Sequence, residues 1–239
     1  MEKYEDSTKD ITNYEYEKAE KKLRLIRNEF TTTGKFDFPI ISKQEIDLDC
    51  IDLWSWNKTK SNDEENKHKT IHFFTYDWHF DSVYTNPENA LNKLQQYYAV
   101  LTPDFSLYFD MPLALQIYST FKNRWCGAYW QNQGLKVIPT INWGKEDSFE
   151  FCFDGIEKGS VVAVSTYSRE DYEQEFMLGY NKMLEIIQPS AVICYGTPFK
   201  AMTGNIKVID PFDKDFLMKE LGQQEFTRRY LTGELYPSK

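Results

Sequence analysis

No stretch of this 239-residue sequence contains a long unbroken apolar run. A membrane-spanning helix needs ~20 such residues, which argues against an integral membrane protein. The opening decapeptide MEKYEDSTKD is charged and carries no apolar core of the secretory-leader kind, so a cytoplasmic protein is expected. Positive charge is also scarce. The 28 Lys and Arg face 37 Asp and Glu, for a formal charge of -9. That balance disfavours non-specific binding to nucleic acid or to an anionic membrane, where a basic surface supplies most of the affinity. Cys50, Cys126, Cys152 and Cys194 are scattered, with no C-x-x-C pair and no His at ligand spacing, which excludes a clustered zinc site. Their apolar neighbours point to buried free thiols in a reducing compartment. No G-x-G-x-x-G and no G-x-x-x-x-G-K-[ST] follows any apolar run, so the usual phosphate cradle is missing.

What is present is ample material for a core: 41% hydrophobic and 16% aromatic residues. Residues 1–35 read as an N-terminal helical segment and 36–239 as a single α/β domain. Thr12 and Glu15 form a capping box, after which Ala19, Leu23, Ile26 and Phe30 recur at helical spacing as a docking stripe. The stretch 36–56 mixes strand-like and loop-like signals. Residues 58–70 are the most polar in the chain and read as a solvated loop, the expected place for disorder or protease attack.

From residue 71 a rhythm of apolar runs and amphipathic stretches sets in. Strands are expected at 71–77, 99–104, 135–142, 160–166, 191–195 and 206–210. Between them, helices are expected from Pro87, from Met111 capped by Asp110, from Ser168 or Asp171 up to Pro189, and over 216–221. Phe149, Cys152, Phe153 and Ile156 suit a short helix, while the alternation of Phe149, Phe151 and Phe153 also allows a strand. Near-continuous apolar strands alternating with helices are the signature of a parallel α/β sheet. The favoured architecture is a TIM-like barrel, complete or partial, with an open doubly wound sheet as the alternative.

Four apolar runs stop on one polar signature: FFTYDW, VLTPDF, VIPTIN and AVSTYS, beginning at Phe73, Val100, Val137 and Ala163. Residues i and i+2 of a strand share a face, so Thr75 with Asp77, Thr102 with Asp104, Thr140 with Asn142 and Thr166 with Ser168 are expected to line the carboxyl edge of the sheet. Parallel α/β proteins place their chemistry there. Tyr195 and Asp210 end two further strands at the same edge. Asp77 and Asp104 suit an acid/base pair with Asn142 beside them. With Asp210 the same carboxylates suit a hard cation such as Mg2+. Against this stands the ordinary use of Thr in strands and of Asp, Asn and Ser in turns.

Other candidates are Arg124 as an anion clamp, Cys126 as a nucleophile without a His partner, His72 or His79 as a base, and Trp78 and Trp143 as an aromatic platform for a sugar or base. For Arg124 and the tryptophans ligand binding is the functional reading. For Cys126 and the histidines a structural role is the commoner one.

The run HFFTYDW, together with VLTPDFSLYFDMPLALQIYSTFKNRWCGAYWQNQGLKVIPTINWG and SFEFCFDGIEKGSVVAVST, resembles the DUF4417 family, whose domain is of unknown function. The resemblance spans residues 71–198 and covers the TPDFS and FCFDG runs. It implies a setting in phages, plasmids or integrative elements of Gram-positive bacteria, and hence a host-cell cytoplasm, and it carries no catalytic assignment. Two functional classes follow. One is an enzyme or binder using the polar edge on a small nucleotide- or sugar-like ligand. The other is a non-enzymatic accessory protein that binds a host protein or takes part in DNA maintenance or defence evasion. A deep carboxylate-lined pocket favours the first, and a flat aromatic patch over a plugged edge favours the second.

Overall fold

Among the described residues, seven short parallel strands are paired in chain order. The computed structural model describes residues 26–167 and 170–211, together with Lys18, Gly222, Gln224, Glu225 and Arg228. Thr12, Ala19, Leu23, Ser168 and the helix expected over 216–221 lie outside the described residues. Strands β1 (Thr32–Thr33) and β2 (Phe38–Pro39) form a small antiparallel pair. A parallel sheet then runs β3 (Leu53–Ser55), β4 (Thr70–His72), β5 (Ala99–Leu101) and β6 (Val137–Ile138). A second runs β7 (Val161–Ser165), β8 (Ala191–Tyr195) and β9 (Ile206–Ile209). A parallel bridge between Thr140 and Ala163 joins the two, through Ala163 N–H to Pro139 O and Ile141 N–H to Ala163 O, both at 2.8 Å. The chain is therefore an α/β protein. Strand β3 comes from the 36–56 stretch whose pattern the sequence left open.

The helices described from end to end are α1 (Ser82–Thr85), α2 (Pro87–Leu94), α3 (Leu113–Asn132) and α4 (Glu173–Ile187). Pro87 takes the first position of α2, where its missing N–H costs nothing. Helix α3 starts two residues later than expected: Pro112 holds the cap position and Asp110 does not cap. Helix α4 stops on Gln188 in the left-handed region, φ 50°, just before Pro189. Residues 146–150 make a 3-10 turn, after which Phe151, Cys152 and Phe153 are buried.

Side chains alternate between two environments along every strand. Val162, Val164, Val192 and Cys194 pack with Trp143, Phe176, Tyr180 and Met183 under α4. Ile71, Phe73, Val100 and Val137 pack with Trp125 and Trp130 of α3. On the opposite face Ala99, Leu101, Ile138, Val161, Ala163, Ala191 and Ile193 form one cluster that also gathers Leu53, Phe74 and Ile209. That cluster draws on strands from β3 to β9, so the sheet wraps around it. Alanines at three positions let the strands approach closely. Among the described residues β9 pairs with β8 alone, so the ladders describe a strongly curved sheet rather than a closed barrel.

The polar stretch 58–70 is not simply solvated. Asp63 is buried, and its carboxylate accepts from Tyr97 Oη at 3.0 Å and Asn66 Nδ2 at 2.7 Å. Its N–H donates to Gln96 Oε1 at 2.9 Å. These bonds tie the loop to the end of α2. Asp63 thus gathers three partners, two through its carboxylate and one through its N–H. At the start of the described chain Arg27 is buried over the Trp125 ring at 3.9 Å and donates to Tyr84 O, while Phe30 packs on the same indole.

Candidate functional site

The curvature brings the carboxyl ends of the strands around one rim. Past β5, Asp104 Oδ1 accepts from Asn142 Nδ2 at 2.8 Å, and the same amide donates to Phe105 O at 2.8 Å. Asp104, Asn142 and Ser165 thus come from segments leaving β5, β6 and β7. With Ile141, Trp143 and Phe176 they border a cavity of ≈ 10 Å³, room for about one water. Asp77 lies in the 3-10 turn Asp77–His79, not in the ladder, and both its oxygens accept from Ser106: Oδ2 from the N–H at 3.1 Å and Oδ1 from the hydroxyl at 2.8 Å. Thr75 Oγ1 accepts from Asn57 Nδ2 at 3.2 Å. Trp78 is 72% exposed and stacks on Tyr76 at 4.3 Å.

Further round the rim, His72 of β4 meets Tyr195 of β8 at 5.0 Å between rings, and Tyr195 stacks on Phe74 at 4.7 Å. Tyr167 approaches the same ring edge-on at 6.2 Å. His72 is buried, and its Nδ1 accepts from Phe74 N–H at 3.2 Å. Burial first, and the Lys58 charge second, lower its pKa to about 3, so the imidazole is neutral at physiological pH. Burial, with Tyr167 and Asp210 adding to it, raises the Tyr195 phenol to about 12.

Several expected site residues face elsewhere. Thr102 is buried towards α3, where its methyl meets Gly127, and its Oγ1 accepts from Thr140 N–H at 2.8 Å. Thr140 is buried, and its carbonyl accepts from Asn123. Thr166 is buried beside Cys194 at 3.6 Å, on the helix side of the sheet. The i, i+2 rule holds only within a strand, and these strands end before the second polar residue. Arg124 is buried and spends its guanidinium on Asp154 O, Cys152 O and Asn123 Oδ1. Burial lowers its pKa to about 10. It is a brace between α3 and the 152–154 segment. Trp143 is buried against Gly179 and Phe176. Cys126 is buried, and burial pushes its thiol up, away from nucleophilic use. Ser168 lies outside the described residues. Asp210 is exposed at the end of β9.

No three His, Cys, Asp or Glu side chains gather to hold a metal ion among the described residues, so Asp77, Asp104 and Asp210 do not form the expected ligand trio there. Sequence reasoning underrated His72, Ser106 and Ser165. The signal for two of them is period-2 alternation: His72 follows Thr70 and Ser165 follows Ala163 on the face opposite the helices.

Residues 30–213 match the family described as Domain of unknown function (DUF4417). The chain belongs to the DUF4417 family. This DUF4417 chain is 40% identical over 184 residues to the "Gene 1 protein" of Mycobacterium phage L5, covering 70% of this chain and 80% of that one. To the "Gene 1 protein" of Mycobacterium phage D29 it is 38% identical over 183 residues, covering 70% and 68%. No solved structure matches. The matched span of DUF4417 takes in every strand from β1 to β9, and with them Asp77, Asp104, Asn142, His72 and Tyr195. Among the described residues no helix is long and apolar enough to cross a membrane.

Proposed function

We propose that this protein holds a small polar ligand, nucleotide- or sugar-like, at the carboxyl edge of its sheet, and that the seven strands are those of a partial TIM-like barrel. The observation that carries the reading is the meeting of Asp104, Asn142 and Ser165, from the ends of β5, β6 and β7, at one edge; the cavity they border has room for about one water, so the ligand would lie over them and not inside it. Convergent polar groups at this edge are the usual mark of a site in parallel α/β folds. In this reading Asp104 is the acceptor or base that touches the ligand, Asn142 orients it, and Asp77 is the second carboxylate. Thr75, Trp78 and Tyr195 supply contacts. Thr102, Thr140, Thr166, Arg124 and Trp143 build the walls. A hard cation such as Mg2+ would enter with the ligand's own oxygens, held by one or two of Asp77, Asp104 and Asp210. The place of action is the cytoplasm of a bacterial host carrying the phage or mobile element.

One observation favours a second reading. The Tyr76–Trp78 stack lies open to solvent, as does Tyr108, and exposed aromatics of this kind serve protein docking. A non-enzymatic protein that binds a host protein, in DNA maintenance or defence evasion, would use that surface.

Thermal unfolding with nucleotides and sugars, with and without Mg2+, separates the two. A ligand-dependent rise in melting temperature that Asp104→Asn removes and Trp78→Ala keeps supports the first reading. No rise with any probe, together with loss of a host-protein complex in Trp78→Ala, supports the second.

A further inference from the structure

We propose that His72 donates a hydrogen bond through Nε2–H to the ring carbonyl of a planar heterocycle, of the nucleobase kind, seated against Phe74, Tyr195 and Tyr167. The inference rests on the ligand-binding reading above and names the class of ligand for it.

The tautomer is fixed by a backbone contact. Phe74 N–H donates to His72 Nδ1 at 3.2 Å, so that nitrogen carries its lone pair and the proton of the neutral ring sits on Nε2. His72 is 6% exposed, and Nε2 has no hydrogen-bond partner among the described residues. Unlike the indole nitrogens of Trp54, Trp130 and Trp143, it is not sealed from solvent. A donor held in place, nearly buried and left unmatched, is the mark of a position awaiting an acceptor.

The surroundings select the acceptor. Phe74 and Tyr195 stack within 20° of parallel, His72 lies 38° from Tyr195, and Tyr167 closes one side while remaining 40% exposed. Phe74 and Tyr195 already cover one face of each other, so in this proposal a flat ring would stack on the outer side of the group, next to Tyr167. The charged group acting on His72 is Lys58, whose ammonium stands 4.9 Å over the Trp54 ring. Asp210 acts on Tyr195. Burial keeps the imidazole neutral, and a neutral donor among aromatic rings matches a carbonyl oxygen better than a phosphate, which would ask for a cation in contact.

The experiment pairs calorimetry with 15N NMR of the histidine side chains, using uridine, guanosine and adenosine. Uridine and guanosine carry ring carbonyls, whereas adenosine does not. The free protein should show His72 as the Nε2–H tautomer. Uridine and guanosine should bind roughly tenfold or more tighter than adenosine, because a buried donor rejects a ligand that leaves it unpaired. Each should shift the Nε2–H resonance. His72→Phe should abolish the preference, and His72→Gln, which keeps an N–H donor, should retain part of it. Because His72→Phe can fail to fold, the ligand-induced shift in the unaltered protein is an independent arm. An Nδ1–H tautomer, adenosine binding as tightly as the other two, or an Nε2–H resonance unmoved by all three overturns the proposal. If the nucleosides leave His72 unmoved while other probes still bind in an Asp104-dependent way, the ring-carbonyl inference falls and the edge site stands.

Discussion

His72 and Tyr195 stand on strands that three others separate in the sheet, yet their rings are 5.0 Å apart. Neighbouring strands lie ~4.8 Å from one another, so in a flat sheet the two would be about 19 Å apart. The contact therefore measures the curvature. It places a neutral imidazole and a high-pKa phenol, one from each side, over the apolar cluster inside.

The buried imidazole makes stability depend on acid. Folding lowers its pKa from 6.5 to about 3, so below the unfolded value the unfolded chain binds a proton that the folded chain refuses. The contribution is whole above 6.5 and is lost as pH falls from there towards 3. Between about pH 7 and about pH 5 the loss should be on the order of 2 kcal/mol. Urea titrations at both pH values should show this extra slope in the unaltered protein and not in His72→Gln. Parallel slopes would sink the idea.

Arg124 should behave as a brace. Its removal leaves Asp154 O, Cys152 O and Asn123 Oδ1 without their donor inside the protein. Arg124→Ala should cost about 1–3 kcal/mol for each buried acceptor it leaves unpaired, read in chemical denaturation. A variant of unchanged stability that had lost ligand binding would restore it to the site as an anion clamp.

Gly179 gives a test of sign. Alanine in a helix interior is normally worth about 1 kcal/mol over glycine. Here an added Cβ would lie 2.2 Å from Trp143 Nε1, inside a sealed cluster. Overpacking of that kind costs about 1–3 kcal/mol, so Gly179→Ala should lower the melting temperature. A rise would mean that Trp143 moves aside freely.

The legible part of this fold was its strands. Residues 191–195 could be read off with both ends correct, because AVICY is apolar throughout and stands between Pro189 and Gly196. Part of the carboxyl edge is legible too: Asp104 and Asn142 hydrogen-bond to each other and border one cavity with Ser165, the last residue of β7. What the pattern could not convey was facing. Thr102 and Thr166 continue the faces of Val100 and Val164, which pack towards helices, so their side chains turn away from the rim. Asp63 escaped notice because partners distant in sequence, Tyr97 and Gln96, decide its burial.

Thiol chemistry offers a direct check on the core. Cys50 is exposed, whereas Cys126, Cys152 and Cys194 are buried, with burial raising each of those thiols. A thiol reagent should label the native protein once, and Cys50→Ser should abolish that labelling. The hydrogen bond to Asp47 raises the Cys50 thiol, so its labelling should be slower than that of a free cysteine. Fast labelling of Cys126 would contradict the packing under α3.

Because the strands pair in the order in which they are translated, each can dock on its predecessor as it leaves the ribosome. Domains generally form this way from the N-terminal side. The exception is the packed group of rings: Phe74 and His72 are made early, and Tyr195 arrives more than half a chain later. Until β7 and β8 are made, Ala99, Leu101 and Ile138 lack Val161, Ala163, Ala191 and Ile193, the residues that complete their cluster. The ring that completes the proposed ligand seat is also the one that closes the nascent chain, so a ribosome stalled before β8 would present a sticky, half-wound sheet.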